Sequence, residues 1–264
     1  MSGRAATRRR RKDLLGVGLI FAVVLVLAGV GGAATMLRTP AYDAQTLCLK
    51  DGPPPAQTLL LVDATDRLDV RHLRRLKTIA LQEAARLPRW GKLTVLTLRP
   101  DAESAPRELF AACTPGDRAS ANPLWENVQK LETQKRARFD DPLDAALSGA
   151  KGVRGAEGSP IVEGLHAAVN APEFALSPAR RLVLVTDLLQ FSPGRFSLYE
   201  TGADWPAYRA SAGAVRTPPD FSDVDVRVVV LERRNRADAQ DAAQSAFWTP
   251  YFDEAGAKTV AWER

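Results

Sequence analysis

The chain has 264 residues, 45% hydrophobic and 25% charged, with a formal net charge of +5 at pH 7. That balance excludes a disordered chain and allows a sizeable core, while two histidines and two cysteines exclude a zinc array. Much of the basic excess, Arg4, Arg8, Arg9, Arg10, Arg11 and Lys12, directly precedes a charge-free apolar run from Leu14 to Met36, so it reads as a topological signal and not as a nucleic-acid surface.

A hydrocarbon core about 30 Å thick needs roughly 20 apolar helical residues, and the run from Leu14 to Met36 has that length. The sequence therefore divides into a basic cytoplasmic tail (1–13), a transmembrane helix (14–36), a linker (37–57) and an extracytoplasmic domain (58–264). A cleavable signal peptide is the alternative, because Gly31-Gly32-Ala33-Ala34 offers small residues after an apolar stretch. With the basic cluster held inside, the reading is a single-pass protein of a bacterial inner membrane whose C-terminal domain is periplasmic. Cys48 and Cys113 then share an oxidising compartment that permits a disulfide, against the alternative of two unrelated thiols.

The linker contains Asp51-Gly52-Pro53-Pro54-Pro55, a stiff extended spacer. TLLLVDAT is the first strand, its unbroken apolar run suited to cover on both faces. Asp69 is placed to cap a helix carrying Leu73, Leu76, Ala80, Ala84 and Leu87 at helical spacing, closed by Pro88 and Gly91. KLTVLTL supplies a second strand and Leu109–Cys113 a short third; 124–150 is helix-rich with a break at Asp141-Pro142; Ser159-Pro160 opens another helix. RRLVLVTD and DVRVVVLE are further buried strands, separated by a long rim segment from Leu188 to Asp223. A helix over 237–252 with Phe247, Trp248, Tyr251 and Phe252, read as core packing, precedes a last edge strand, AKTVAW. Strands alternating with helices predict an α/β fold: a doubly wound, mostly parallel six-stranded sheet flanked by helices and preceded by one transmembrane helix.

Two strands end in aspartate, Asp63 and Asp187, and ligands of open parallel sheets bind at adjacent carboxyl ends. Hard cations such as Mg²⁺ take oxygen ligands, which Thr65 and Ser159 would supplement. At these residues the sequence resembles a von Willebrand factor A-like domain with a degenerate metal-ion-dependent adhesion site. The resemblance spans roughly Thr58 to Trp262 and implies that Asp63 and Thr65 open the metal motif, that Ser159 is the middle-loop hydroxyl and that Asp187 is the fourth-strand aspartate. It departs from the family at Arg67, where a second serine is expected: a guanidinium there opposes a divalent cation unless it points outward or pairs with Asp66. Only Glu263 and Arg264 follow Trp262, so the helix displacement by which relatives report ligand binding is not expected, and the surface reads as constitutive.

Bland roles exist for each residue: strand ends for the two aspartates, a helix cap for Ser159, a turn for Thr65 and Asp66. The resemblance implies a membrane-anchored interaction module, Mg²⁺-dependent or not, with an unidentified protein partner. The alternatives are an Mg²⁺-dependent phosphohydrolase using Asp63 and Asp187, although a second aspartate is missing at Thr65, and a metal-free spacer. His72 and His166 lack a serine elbow to serve, and no phosphate loop occurs. Tyr199, Trp205 and Tyr208, in the rim segment, are the expected partner contacts. No catalytic residue is expected.

Overall fold

The computed structural model describes residues 18–32, 40–103, 105–122, 126–150, 152, 157–200, 202–215 and 217–264. The chain divides into two units, Met1–Ala41 and Tyr42–Arg264. In the first, residues 18–32 are helical with exposed apolar side chains. Among the described residues no helix is long and apolar enough to cross a membrane. The expected span over 14–36 extends at both ends outside the described residues, as does the tail over 1–13.

The second unit is built on a six-stranded sheet. Its strands are β1 (Gln57–Val62), β2 (Lys92–Thr97), β3 (Arg107–Cys113), β4 (Arg180–Thr186), β7 (Val224–Val230) and β8 (Val260–Glu263), ordered β3-β2-β1-β4-β7-β8. All neighbours are parallel except β3, which runs antiparallel to β2. The order reverses between β1 and β4, which makes their carboxyl ends the switch point of a doubly wound sheet. The expected mostly parallel α/β sheet is thus present, and it fits a von Willebrand A-like fold.

β1 is buried throughout and apolar from Leu59 to Val62 because both faces are covered and side chains alternate between them. Leu59 and Leu61 join one core with Leu182, Leu184, Val226 and Val228, against helix α4 (Ile161–Val169). Leu60 and Val62 join the other with Val183, Val185 and Val229, against helix α1 (Val70–Arg86). Each buried leucine or valine contributes about 1.5–3 kcal/mol. Asp69 caps α1 as expected, accepting from the backbone N–H of Arg71 and His72, each at 2.8 Å. Helices α2 (Val128–Lys135) and α3 (Asp141–Gly149) are joined by a π-helical turn, Arg136–Asp140, so the break falls just before Pro142.

The rim segment is more structured than its composition suggests. It contains a two-stranded ribbon, β5 (Phe191–Ser192) and β6 (Phe196–Ser197), and a short helix, α6 (Trp205–Ala210); a still shorter one, α5 (Pro172–Ala175), precedes β4. Two of its aromatics, Trp205 and Tyr208, turn inward. Trp205 is 5% exposed and Tyr208 is fully buried, packed on Phe247 and, for Trp205, on Tyr251. The expected partner rim is corrected accordingly: a six-residue helix beside the sheet places Trp205 and Tyr208 in the core, and Tyr199 alone of the three stays on the surface, at 46% exposure. The helix expected over 237–252 forms as α7 (Ala237–Ala242), a π-helical stretch and α8 (Thr249–Glu254), and it buries all four of its large aromatics.

Cys48 and Cys113 form a disulfide, closing a sequence separation of 65 residues, and the backbone N–H of Cys113 donates to Thr46 O at 2.8 Å. Cross-linking over such a span stabilises typically by about 2–4 kcal/mol.

Candidate functional site

Asp63 and Asp187 lie just past the ends of β1 and β4, which are hydrogen-bonded neighbours with Val62 opposite Val185. The ladder continues one step beyond β1, since Asp63 N–H donates to Val185 O at 2.8 Å. Both carboxylates are therefore fixed by sheet register at one rim, at 5% and 4% exposure.

Asp63 is held by hydroxyls. Thr65 donates to Oδ1 through its hydroxyl at 2.6 Å and its backbone N–H at 3.2 Å. Ser159 and Thr186 donate to Oδ2 at 2.9 and 3.0 Å. Ser159 reaches the site from the loop before α4. It does not cap that helix, whose cap position is Pro160, so the bland role considered for it is not the one it plays. The structure thus gathers Thr65 and Ser159 around Asp63, with Asp187 adjacent.

Asp187 has different company. Its Oδ1 accepts from the backbone N–H of Leu189 at 3.0 Å, and its Oδ2 lies 2.6 Å from Nε of Arg233. Arg233 also pairs with Asp66 through Nη2. Burial first, and then repulsion from Asp63, push the Asp187 carboxyl up to about 7, against the pull of Arg233. Arg233 is held above the ordinary arginine value by Asp187 and Asp66, which outweigh the opposing effect of its burial.

The loop carrying Arg233 is fastened by one buried side chain. Gln240, 1% exposed, accepts from Arg233 N–H through Oε1 at 3.0 Å and donates through Nε2 to Asp187 O and Leu231 O, each at 2.9 Å. Leu188 adopts a left-handed φ of 69° between these contacts, and its carbonyl accepts from Trp248 Nε1 at 2.8 Å. Strain of that kind gathers where surroundings over-determine the backbone. On the other side, Gly152 (φ 72°) packs so tightly that a Cβ would overlap the Asp66 carbonyl oxygen.

A cavity of about 390 Å³ lies over the site, lined among others by Asp63, Arg67, His72, Asp187, Arg233 and Arg234. Arg67 is exposed at this cavity, and Asp66, its considered partner, is engaged by Arg233. Tyr199 stands edge-on to Phe191 with Arg236 over its ring at 5.3 Å. Burial, and next the Asp187 charge, raise the Tyr199 phenol to about 12, which ties this residue electrostatically to the site.

The donors around Asp63 suit a hard cation, because a hydroxyl that donates a proton keeps lone pairs to offer. The Asp187 half does not. Its outer oxygen is taken by Arg233, and a guanidinium about 4 Å from a dication repels it by on the order of 8 kcal/mol at an effective dielectric near 20. Among the described residues no group of three or more His, Cys, Asp or Glu side chains is placed to hold a metal ion. The expected Mg²⁺ thus does not fit the residues present.

Thr186, Arg233 and Gln240 were not singled out in the sequence. Thr186 precedes the strand-end aspartate directly, and Arg233 lies in the charged run after DVRVVVL, whose strand ends beside β4 in a doubly wound order. Those signals were present; the loop path that joins them was not.

No protein-family model matches the chain, and a search of curated proteins finds no relative. Among solved structures the chain is similar to an aerotolerance-related membrane protein from Bacteroides fragilis NCTC 9343 with multiple mutations to serines. The identity is 13%, covering 79% of this chain and 90% of that one, with a TM-score of 0.32. At that level the likeness carries no argument about the site.

Proposed function

We propose that the chain is a membrane-anchored interaction module of the von Willebrand A type, in a bacterial envelope, that docks a protein partner at the switch point of its sheet. The apolar run from Leu14 to Met36 serves as the anchor and the basic tail keeps the N-terminus cytoplasmic, which puts the folded unit in the periplasm. The observation that carries the reading is the pair Asp63 and Asp187 on neighbouring strand ends beside a cavity of about 390 Å³. Ligands of open α/β sheets bind at this place.

The docking surface is the rim around that cavity, with Tyr199, Arg67, Arg234 and Arg236 as its exposed side chains. Tyrosine and arginine are the residue types on which interface energy concentrates. Asp63 supports this surface from beneath by organising the loops that bear Thr65 and Ser159.

A photo-crosslinking side chain at Tyr199, compared with one at the exposed Leu81 of α1, tests the reading in cells. A discrete protein adduct is expected at Tyr199 and not at Leu81, and it is expected to disappear in Asp63→Ala protein that still folds. Identical patterns at both positions would sink the docking surface. Hydrolysis of a generic phosphoester that vanishes in Asp63→Asn would replace the module with an enzyme.

A further inference from the structure

We propose that Arg233 is the built-in cation of the strand-end site: its guanidinium stands where paired carboxylates at a switch point would otherwise recruit a divalent ion, and the site is complete without metal. The inference rests on the docking reading only for the location of the site.

Three observations lead to it. The guanidinium is bracketed, with Nε on Asp187 and Nη2 on Asp66, so one side chain neutralises acids from two different loops. Arginine presents those donors in a rigid fork and keeps its charge at any physiological pH, as a structural cation must. The backbone is bracketed too: Gln240 grips Arg233 N–H and, through its other end, the Asp187 and Leu231 carbonyls. A surface arginine that merely found two acids would need no such anchor. Finally, the residues around Asp63 retain the oxygen-rich arrangement that suits a hard cation; Arg67, the other departure from a metal site, is exposed at the cavity, which leaves Arg233 as the cation paired with the Asp187 carboxylate.

Removing the guanidinium should therefore uncover a cation site that the wild-type chain keeps closed. The test is thermal unfolding of the full chain, purified in detergent at pH 8, with EDTA or with Mn²⁺, for wild type, Arg233→Ala and Arg233→Ala/Asp187→Asn. Wild type is expected not to respond to Mn²⁺. Arg233→Ala is expected to melt lower in EDTA and to gain about 5–10 °C at Mn²⁺ about a hundred times its Kd. The double variant is expected to lose that gain. Equal responses in wild type and Arg233→Ala, including none in either, would overturn the proposal, and so would a gain that survives Asp187→Asn. Should Arg233→Ala fail to fold, Arg233→Gln keeps a polar side chain without the charge and carries the same expectations. Because the readout is the metal response and not partner capture, this proposal and the docking surface fail separately.

Discussion

The two ends of β4 solve the problem of buried charge in opposite ways. Near its start, Arg181 meets Glu83, a fully buried carboxylate of α1, with Nε to Oε2 at 2.7 Å, while Arg227 of β7 reaches the other oxygen at 2.8 Å. Arg181 also pairs with Asp225, and Arg227 and Arg75 pair with Glu263. Three arginines face three acids there, and the hydrogen bond from Arg227 holds Glu263 below the usual carboxylate range. Past the far end of the same strand, one guanidinium serves Asp187 and Asp66 while Asp63 relies on hydroxyls, and Asp187 is pushed up to about 7. A balanced network is closed and structural; a carboxyl still pushed up beside a cavity, despite its guanidinium, marks a candidate functional site.

The contrast is broken most forcefully at the balanced end. Glu83→Ala leaves Arg181 and Arg227 without their buried partner and is expected to cost about 3–5 kcal/mol, read from denaturant midpoints. A loss under about 1 kcal/mol would mean that the network is not the closed structural element described.

At the other end the expected effect depends on pH. Asp187 titrates near 7 in the folded protein and near 3.8 unfolded, so the folded state binds its proton more tightly. Stability must then fall as pH rises through this window, by on the order of 4 kcal/mol if nothing else titrates. The groups facing it, Asp63, Asp66, Arg233 and Tyr199, belong to the same site. Asp187→Asn removes this titration, so the variant is expected to gain on wild type between pH 4 and pH 8. A difference that stays flat across that range would refute the unbalanced-charge description.

Gln240→Leu is a smaller perturbation, orphaning two carbonyls and the Arg233 N–H for about 1–3 kcal/mol. It should also reduce the coupling between Arg233 and Asp187 in a double-mutant cycle. The smallest effect is expected for Arg234→Ala, an exposed neighbour on the same loop, which should stay within about 0.5 kcal/mol in stability. A larger change there would show that the whole loop, and not Arg233, sets the balance.

Most of the sheet was legible in the sequence. LLLV and LVLV are continuous apolar runs, and VRVVV one broken only at Arg227, because both faces of a central parallel strand are buried, and Asp69 announced α1 by its capping chemistry. The two strand-end aspartates were legible for the same reason, since an acid that stops an apolar run marks where the strand leaves the core. Thr65 and Ser159 were recognised by type, and the structure brings both to Asp63. The rim segment misled: Trp205 and Tyr208 read as surface contacts because the stretch is polar on average, whereas a capped turn of helix beginning at Asp204 rotates both into the aromatic core.

Outside the rim segment, the sequence by itself determined the strands of the six-stranded sheet and the main helices, which of their faces are buried, and that two carboxylates would emerge from neighbouring strand ends. Periodicity encodes these locally, because burial repeats every two residues in a strand and every 3.6 in a helix. Only the tertiary structure decided that the countercharge of Asp187 is Arg233, that Gln240 locks the two together and that a disulfide fastens the segment before β1 to the end of β3. Those contacts join residues far apart in the chain, and their partners are chosen by the path of loops, which no local repeat records.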